Sequence, residues 1–86
     1  MIDYDRMQRE EPILKRRMTT ALKAGNYDRV IAVARDTVRV WNEIGAWPDN
    51  WSRLNRALRD AYNAERQRYI RGEIDDEPQF YDADSL

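Results

Sequence analysis

The sequence predicts an all-α fold, a three-helix bundle built on an antiparallel helical hairpin and followed by a disordered acidic C-terminal tail. Three observations lead to it. Apolar side chains recur at helical spacing in three stretches of the 86-residue chain. Gly25, Gly45 and Gly72 follow these stretches, where a glycine can end a helix in the left-handed conformation. The final fourteen residues contain six acidic side chains and no basic one.

The stretch of residues 27–44 is predicted to be the central helix, because its apolar face is the widest in the chain. The members of that face are Tyr27, Val30, Ile31, Ala34, Val38 and Trp41, widened by Val33, Val40 and Ile44. A helix with so wide an apolar arc needs cover from two sides. We therefore expect Ile31 and Val38 to be almost fully buried between two neighbouring helices.

The helix before it is predicted over residues 13–24. Pro12 fits a first helical turn, and Gly25-Asn26 supplies a C-terminal cap and a tight turn. So short a link makes the first two helices antiparallel neighbours. Residues 1–11 are polar and are predicted to be a lead-in, either frayed or forming a short, weakly packed helix.

The third helix is predicted over about residues 50–71, with Asp49 or Asn50 capping its start and Gly72 ending it. These limits make residues 12–72 the three-helix domain. The remaining segment, residues 73–86, is acidic, contains a proline and cannot bury enough apolar surface to fold alone. This composition favours a disordered tail, although its adjacent aromatic residues could dock on the basic body of the same chain.

Composition argues against several classes of site and location. No apolar run reaches the length that spans a bilayer, and the N-terminal residues are too polar for a signal peptide. We therefore expect a cytoplasmic protein with no membrane partner. The chain has no cysteine and no histidine, which removes thiolate metal ligands and the commonest general base. With no phosphate-binding glycine loop either, we expect no catalytic residue, no metal and no cofactor, and so no enzyme.

Charge is distributed unevenly along the chain, although the net charge is only −1. Residues 12–72 contain thirteen Lys or Arg and six Asp or Glu, a balance of +7, whereas the tail carries −6. A basic body can attract nucleic acid or an acidic partner. Coding in a GC-rich genome, which favours Arg, would account for the same basic surplus equally well. The candidate partner-binding residues are Trp47, Arg53, Arg56, Arg59, Arg66, Phe80 and Tyr81.

The junction between the second and third helices supports a DNA-binding alternative. Ile44-Gly45 followed by Trp51-Ser52-Arg53 resembles a helix-turn-helix, in which a glycine turn precedes the recognition helix. The resemblance implies that base edges or phosphates would be contacted by Asn50, Ser52, Arg53 and Arg56. The long second helix and the stiff Trp47-Pro48 pair depart from that pattern. Arginines spaced along one helix, such as Arg56, Arg59 and Arg66, are also typical of an ordinary solvent-exposed face.

Residues 46–61 read AWPDNWSRLNRALRDA and are similar to a Trp-Pro-Asp-x-Trp segment found in small helical proteins of actinobacteria and their phages. The resemblance implies an intracellular, phage-like accessory protein and assigns no catalytic residue. We therefore expect a protein that binds a host or regulatory protein. The alternatives are a small DNA-binding regulator with the helix-turn-helix-like junction and a structural protein that associates with a second copy of itself.

Overall fold

The computed structural model of the protein describes residues 2–45 and 51–86. Within these ranges the chain is helical and contains no strand, so the predicted all-α class is confirmed. The elements are α1 (Tyr4–Ala24), α2 (Tyr27–Ile44), α3 (Trp51–Ile70) and a short 3-10 helix (Ala83–Ser85).

Helix α1 begins at Tyr4, rather than near Pro12 as the sequence predicted, so most of the expected lead-in is helical. The start is set by Asp3, whose carboxylate accepts the backbone N–H of Arg6 at 3.0 Å. Pro12 lies inside the helix at an exposed position. The first turns are also packed, because Ile2 and Met7 contact a buried cluster shared by α1 and α2.

The two glycines that follow α1 and α2 end those helices as predicted. Gly25 and Gly45 have φ angles of 65° and 81°, a left-handed conformation in which a side chain would be strained. Asn26 then caps α2, because its side-chain oxygen accepts the backbone N–H of Arg29 at 3.2 Å. The link between α1 and α2 is therefore as short as the sequence indicated.

Helix α2 carries both parts of the hydrophobic core. One cluster joins Ala21, Tyr27, Val30, Ile31, Ala34 and Leu58, and the other joins Leu14, Val40 and Ile44. Both α1 and α3 pack along α2, whereas contact between α1 and α3 is marginal. The core therefore follows the length of α2, and its larger cluster draws residues from all three helices.

The two residues of α2 that were expected to be most buried differ in their exposure to solvent. Ile31 is buried as predicted, but Val38 is only half-buried, so that part of the prediction is wrong. Val38 lines a shallow surface depression with Asn42 and Leu86 instead of lying in a helix–helix interface. Neighbouring elements therefore cover the apolar arc of α2 only partly around Val38.

The molecule is elongated, measuring 48 × 22 × 16 Å with a radius of gyration of 13.9 Å. A compact chain of this length would have a radius of gyration of about 12 Å.

Contacts pair the start of α1 with the end of α2. The backbone N–H of Asp3 donates to the carbonyl of Ile44 at 3.3 Å, and Arg6 forms an ion pair with Glu43.

The acidic tail, residues 73–86, packs on the helices, and its predicted disorder is not confirmed. Ala83 is 2 % exposed, and both Tyr81 and Leu86 lie against the larger core cluster. The apolar content of the tail alone favours disorder, whereas its adjacent aromatic residues left docking on the same chain open. In the structure, α2 and α3 supply the surface on which Tyr81, Ala83 and Leu86 pack.

Candidate protein-binding site

An open groove separates α1 from α3 above the edge of α2, and we call it the α1–α3 groove. Its volume is about 300 Å³. The apolar lining residues are Leu14, Met18, Trp41, Leu54 and Ala57, and the polar ones are Glu11, Lys15, Thr19, Thr37 and Arg53. The groove exists because, in the described residues, α1 and α3 both pack on α2 while their backbones rarely approach each other.

The polar groups of the groove are largely engaged by the chain itself. The hydroxyl of Thr19 donates to the carbonyl of Lys15 at 3.0 Å, one turn earlier in α1. The hydroxyl of Thr37 donates in the same way to Val33 at 2.8 Å. Lys15 also forms an ion pair with Glu11 at 3.0 Å. The groove therefore offers mainly apolar contact, without the convergent polar groups that orient a small molecule.

A second surface, on the opposite flank of α3, holds the tail, and we call it the tail dock. It is formed by Tyr27 and Arg35 of α2 and by Asn55 and Tyr62 of α3, with residues 79–86 lying on it. The Tyr27 hydroxyl donates to the carbonyl of Gln79 at 2.6 Å, and burial raises the pKa of that hydroxyl above its ordinary value.

Aromatic rings hold the middle of the tail. The ring of Phe80 meets that of Tyr62 almost edge-on, with centroids 5.3 Å apart and planes at 76°. Tyr62 in turn lies 6.2 Å from the ring of Tyr27. The guanidinium carbon of Arg35 lies 5.7 Å from the ring centroid of Tyr81, within the range of a cation–π interaction.

The end of the tail is a capped turn fixed to α3. The backbone N–H of Ala83 donates to the side-chain oxygen of Asn55 at 2.8 Å. Within the turn, the Asp82 carboxylate accepts the backbone N–H of Ser85 at 2.9 Å and its hydroxyl at 2.7 Å. These hydrogen bonds from Ser85 lower the pKa of Asp82, because they favour the ionised carboxylate.

The residues singled out from the sequence do not form one site. Arg53 lies on the rim of the α1–α3 groove, and Arg66 donates weakly to the Tyr62 hydroxyl at 3.4 Å, beside the tail dock. Arg56 and Arg59 are exposed on the outer side of α3 and form no ion pair with another described residue. Phe80 and Tyr81 belong to the docked tail.

The sequence predictions that concern residues 46–50, including the cap of the third helix at Asp49 or Asn50, lie outside the described residues. Trp47 falls between the two described ranges, as does Asn50 with the turn of the predicted helix-turn-helix. The sequence places Trp41 on the apolar face of α2 but does not show that Trp41 and Leu54 line a groove. Sequence reasoning missed Tyr27, Arg35, Asn55 and Tyr62 as tail contacts, and the aromatic pair in the acidic tail was the available signal.

Comparisons of the chain with protein-family models, curated proteins and solved structures found no match. Among the helices formed by residues 2–45 and 51–86, none combines the length and the apolar character needed to cross a bilayer. The two surfaces described above are therefore the basis for assigning a function.

Proposed function

We propose that the protein acts inside the cell by binding another protein, a host or regulatory protein, through the α1–α3 groove. The observation that carries this proposal is an apolar groove between two helices that do not close over it. Covering apolar surface that is exposed to water lowers the free energy, so such a groove favours the binding of a partner. The similarity of residues 46–61 to a segment of phage and actinobacterial proteins supports a cytoplasmic accessory role.

The occupant that fits is an amphipathic helix of the partner. Residues 11–19 of α1 line the groove over two turns, or about 12 Å. A helix presenting apolar side chains at positions i, i+3 or i+4, and i+7 would lie between α1 and α3. The basic surplus of residues 12–72 and the rim position of Arg53 favour acidic side chains on the flanks of that helix.

The proposal includes an antiparallel hairpin of α1 and α2, which would hold the floor and one wall of the groove as a unit. Two contacts support the hairpin, besides the pairing of Asp3 with Ile44. Arg17 forms an ion pair with Asp36 at 2.8 Å, and Ala21 accepts the backbone N–H of Asn26 at 3.4 Å. A preorganised groove limits the entropy lost on binding.

Two adjacent threonines allow a matched test by photo-crosslinking in cells. Thr19 lines the groove, whereas Thr20 is an exposed residue outside it, and both hydroxyls donate to the carbonyl one turn earlier. A photoreactive amino acid at position 19 should yield a discrete protein adduct, and the same group at position 20 should not. The substitution Met18→Glu should abolish the adduct. The same adduct from both positions, or none from position 19, would refute groove binding.

A second candidate function, DNA binding, rests on the free guanidinium groups of Arg56 and Arg59. Exposed arginines on one helix can contact successive phosphates and release counterions. In a gel-shift series at increasing salt, replacing both residues with Gln should then weaken duplex retention. Arg68→Gln is the control, because Arg68 is exposed but paired with Glu65 at 3.2 Å. Absence of retention at low salt would eliminate this candidate.

A further inference from the structure

The tail dock contacts its occupant as a peptide-binding site contacts a ligand. Tyr27 binds a backbone carbonyl of the tail, at Gln79, and Asn55 binds a backbone N–H four residues later, at Ala83. Both contacts are to groups that any peptide carries, so they fix its position without reading its sequence. Specificity then comes from the two aromatic side chains that lie between these anchor points.

The tail is attached in a way that permits release. No ion pair joins residues 74–86 to the helices within the described parts of the chain, and the nearest one pairs Arg71 with Glu73 at the end of α3. Phe80 remains 43 % exposed although it contacts Tyr62. Asp75, Asp76 and Glu77, which lead to the dock, are exposed. Undocking would therefore leave the contacts between α1 and α2 intact.

The chemistry of the dock specifies the kind of ligand it takes. The guanidinium of Arg35 lies against an aromatic ring, Tyr62 accepts a second ring edge-on, and residues 12–72 as a whole carry a net charge of +7. The fit at Ala83, which is 2 % exposed, requires a small side chain next to a compact turn. These features describe an extended acidic segment with two adjacent aromatic residues, followed by a turn capped by Asp or Ser.

We propose that the tail dock binds such a segment of another protein, and that residues 79–86 occupy it in the free protein as a displaceable internal ligand. Because the tail is joined to the dock by a short connector, its effective concentration is of the order of millimolar. A segment from a partner must compete with it, so the free protein shows low affinity. The tail dock is separate from the α1–α3 groove, so either proposal can be refuted while the other stands.

The test uses the 86-residue chain and a fluorescent synthetic peptide that reproduces residues 77–86. Replacing Phe80 and Tyr81 with Ala weakens the internal ligand and leaves the dock intact. Measured by fluorescence anisotropy, this double variant should bind the peptide at least tenfold more tightly than the wild type. A scrambled peptide of the same charge should not bind.

A matched pair of tyrosines shows whether the peptide uses the dock. In the double variant, Tyr27→Phe removes the hydroxyl that donates to Gln79 and should weaken peptide binding several-fold. Tyr69→Phe, at an exposed position of α3 with no side-chain hydrogen bond or ring contact to the described residues of the tail, should leave it unchanged. Equal effects of the two changes, or equal binding of the scrambled peptide, would overturn the proposal.

A second way of releasing the tail guards against misfolding of the double variant. Ala83→Pro removes the N–H that donates to Asn55 and lies outside the three α-helices. Circular dichroism should show unchanged helix content, and peptide affinity should rise as in the double variant. Loss of helix in both variants would show that the tail is an integral part of the fold and would overturn the proposal.

Discussion

On one flank of α3, Leu54 and Ala57 face α1 across an open groove, whereas on the other flank Asn55 and Tyr62 hold the chain's own tail. Both flanks use the same two helices, α2 and α3, as their base. The difference shows that the apolar arc of α2 is wider than two helices cover. A peptide segment of the tail covers one remaining strip, and the strip beside α1 stays open.

The largest expected effect comes from the shared base of both flanks. Ile31→Ala should lower the free energy of unfolding by about 2–5 kcal/mol, because Ile31 is buried in the cluster that contains Leu58. Val38→Ala should cost clearly less, since Val38 is half-buried. Chemical denaturation measures both. Equal losses would mean that α2 is covered evenly along its length, and no loss for Ile31→Ala would remove α2 from the centre of the fold.

A smaller effect should separate the two flanks. Asn55→Ala leaves the part-buried N–H of Ala83 without its acceptor and should cost about 1–3 kcal/mol. Hydrogen exchange of the Ala83 amide should become faster, while amides of α1 keep their protection. Asn63→Ala is the control, because Asn63 is exposed on the same helix. Similar exchange rates in the two variants would show that the tail is not held through Asn55.

A substitution in the α1–α3 groove should change the free energy of unfolding less than a substitution in the tail dock. Ala57→Leu places a larger side chain into open space, so the free energy of unfolding should change by no more than about 1 kcal/mol. Crosslinking from position 19 should nevertheless fall, because the space for a partner is reduced. Ala64→Leu, on the exposed surface of α3, should affect neither measurement. A large loss of stability in Ala57→Leu would indicate a closed interface.

The smallest expected effect is the response of the tail to acid. The pKa of Asp82 in the folded protein lies below its ordinary value of 3.8, because Ser85 donates to the ionised carboxylate. The turn is therefore fully stabilised above pH 3.8 and loses this contribution as the pH falls through the lower folded value. NMR shifts of the Ser85 amide should report that titration. In Asp82→Asn the Ser85 amide should no longer show this titration. A titration that persists in that variant would belong to another acidic group.

The features predicted correctly from the sequence are local ones. The breadth of the apolar face of α2 and the glycine ends at Gly25 and Gly45 depend on neighbouring residues, so spacing alone indicates them. The start of α1 differs from the prediction because Asp3 caps the helix and Pro12 lies inside it. The groove and the dock depend on how α1, α3 and the tail are arranged around α2. Such contacts between distant residues leave little trace in periodicity.

The position of α2 as the common neighbour of α1, α3 and the tail also determines how the chain can assemble. Contacts between α1 and α2 can form one after another outward from the short turn at Gly25-Asn26, so each costs little chain entropy and they can form early. Helix α3 and the tail must then add to a surface that already exists. Changes on the buried face of α2 should therefore slow folding, whereas changes that loosen the tail should mainly accelerate unfolding.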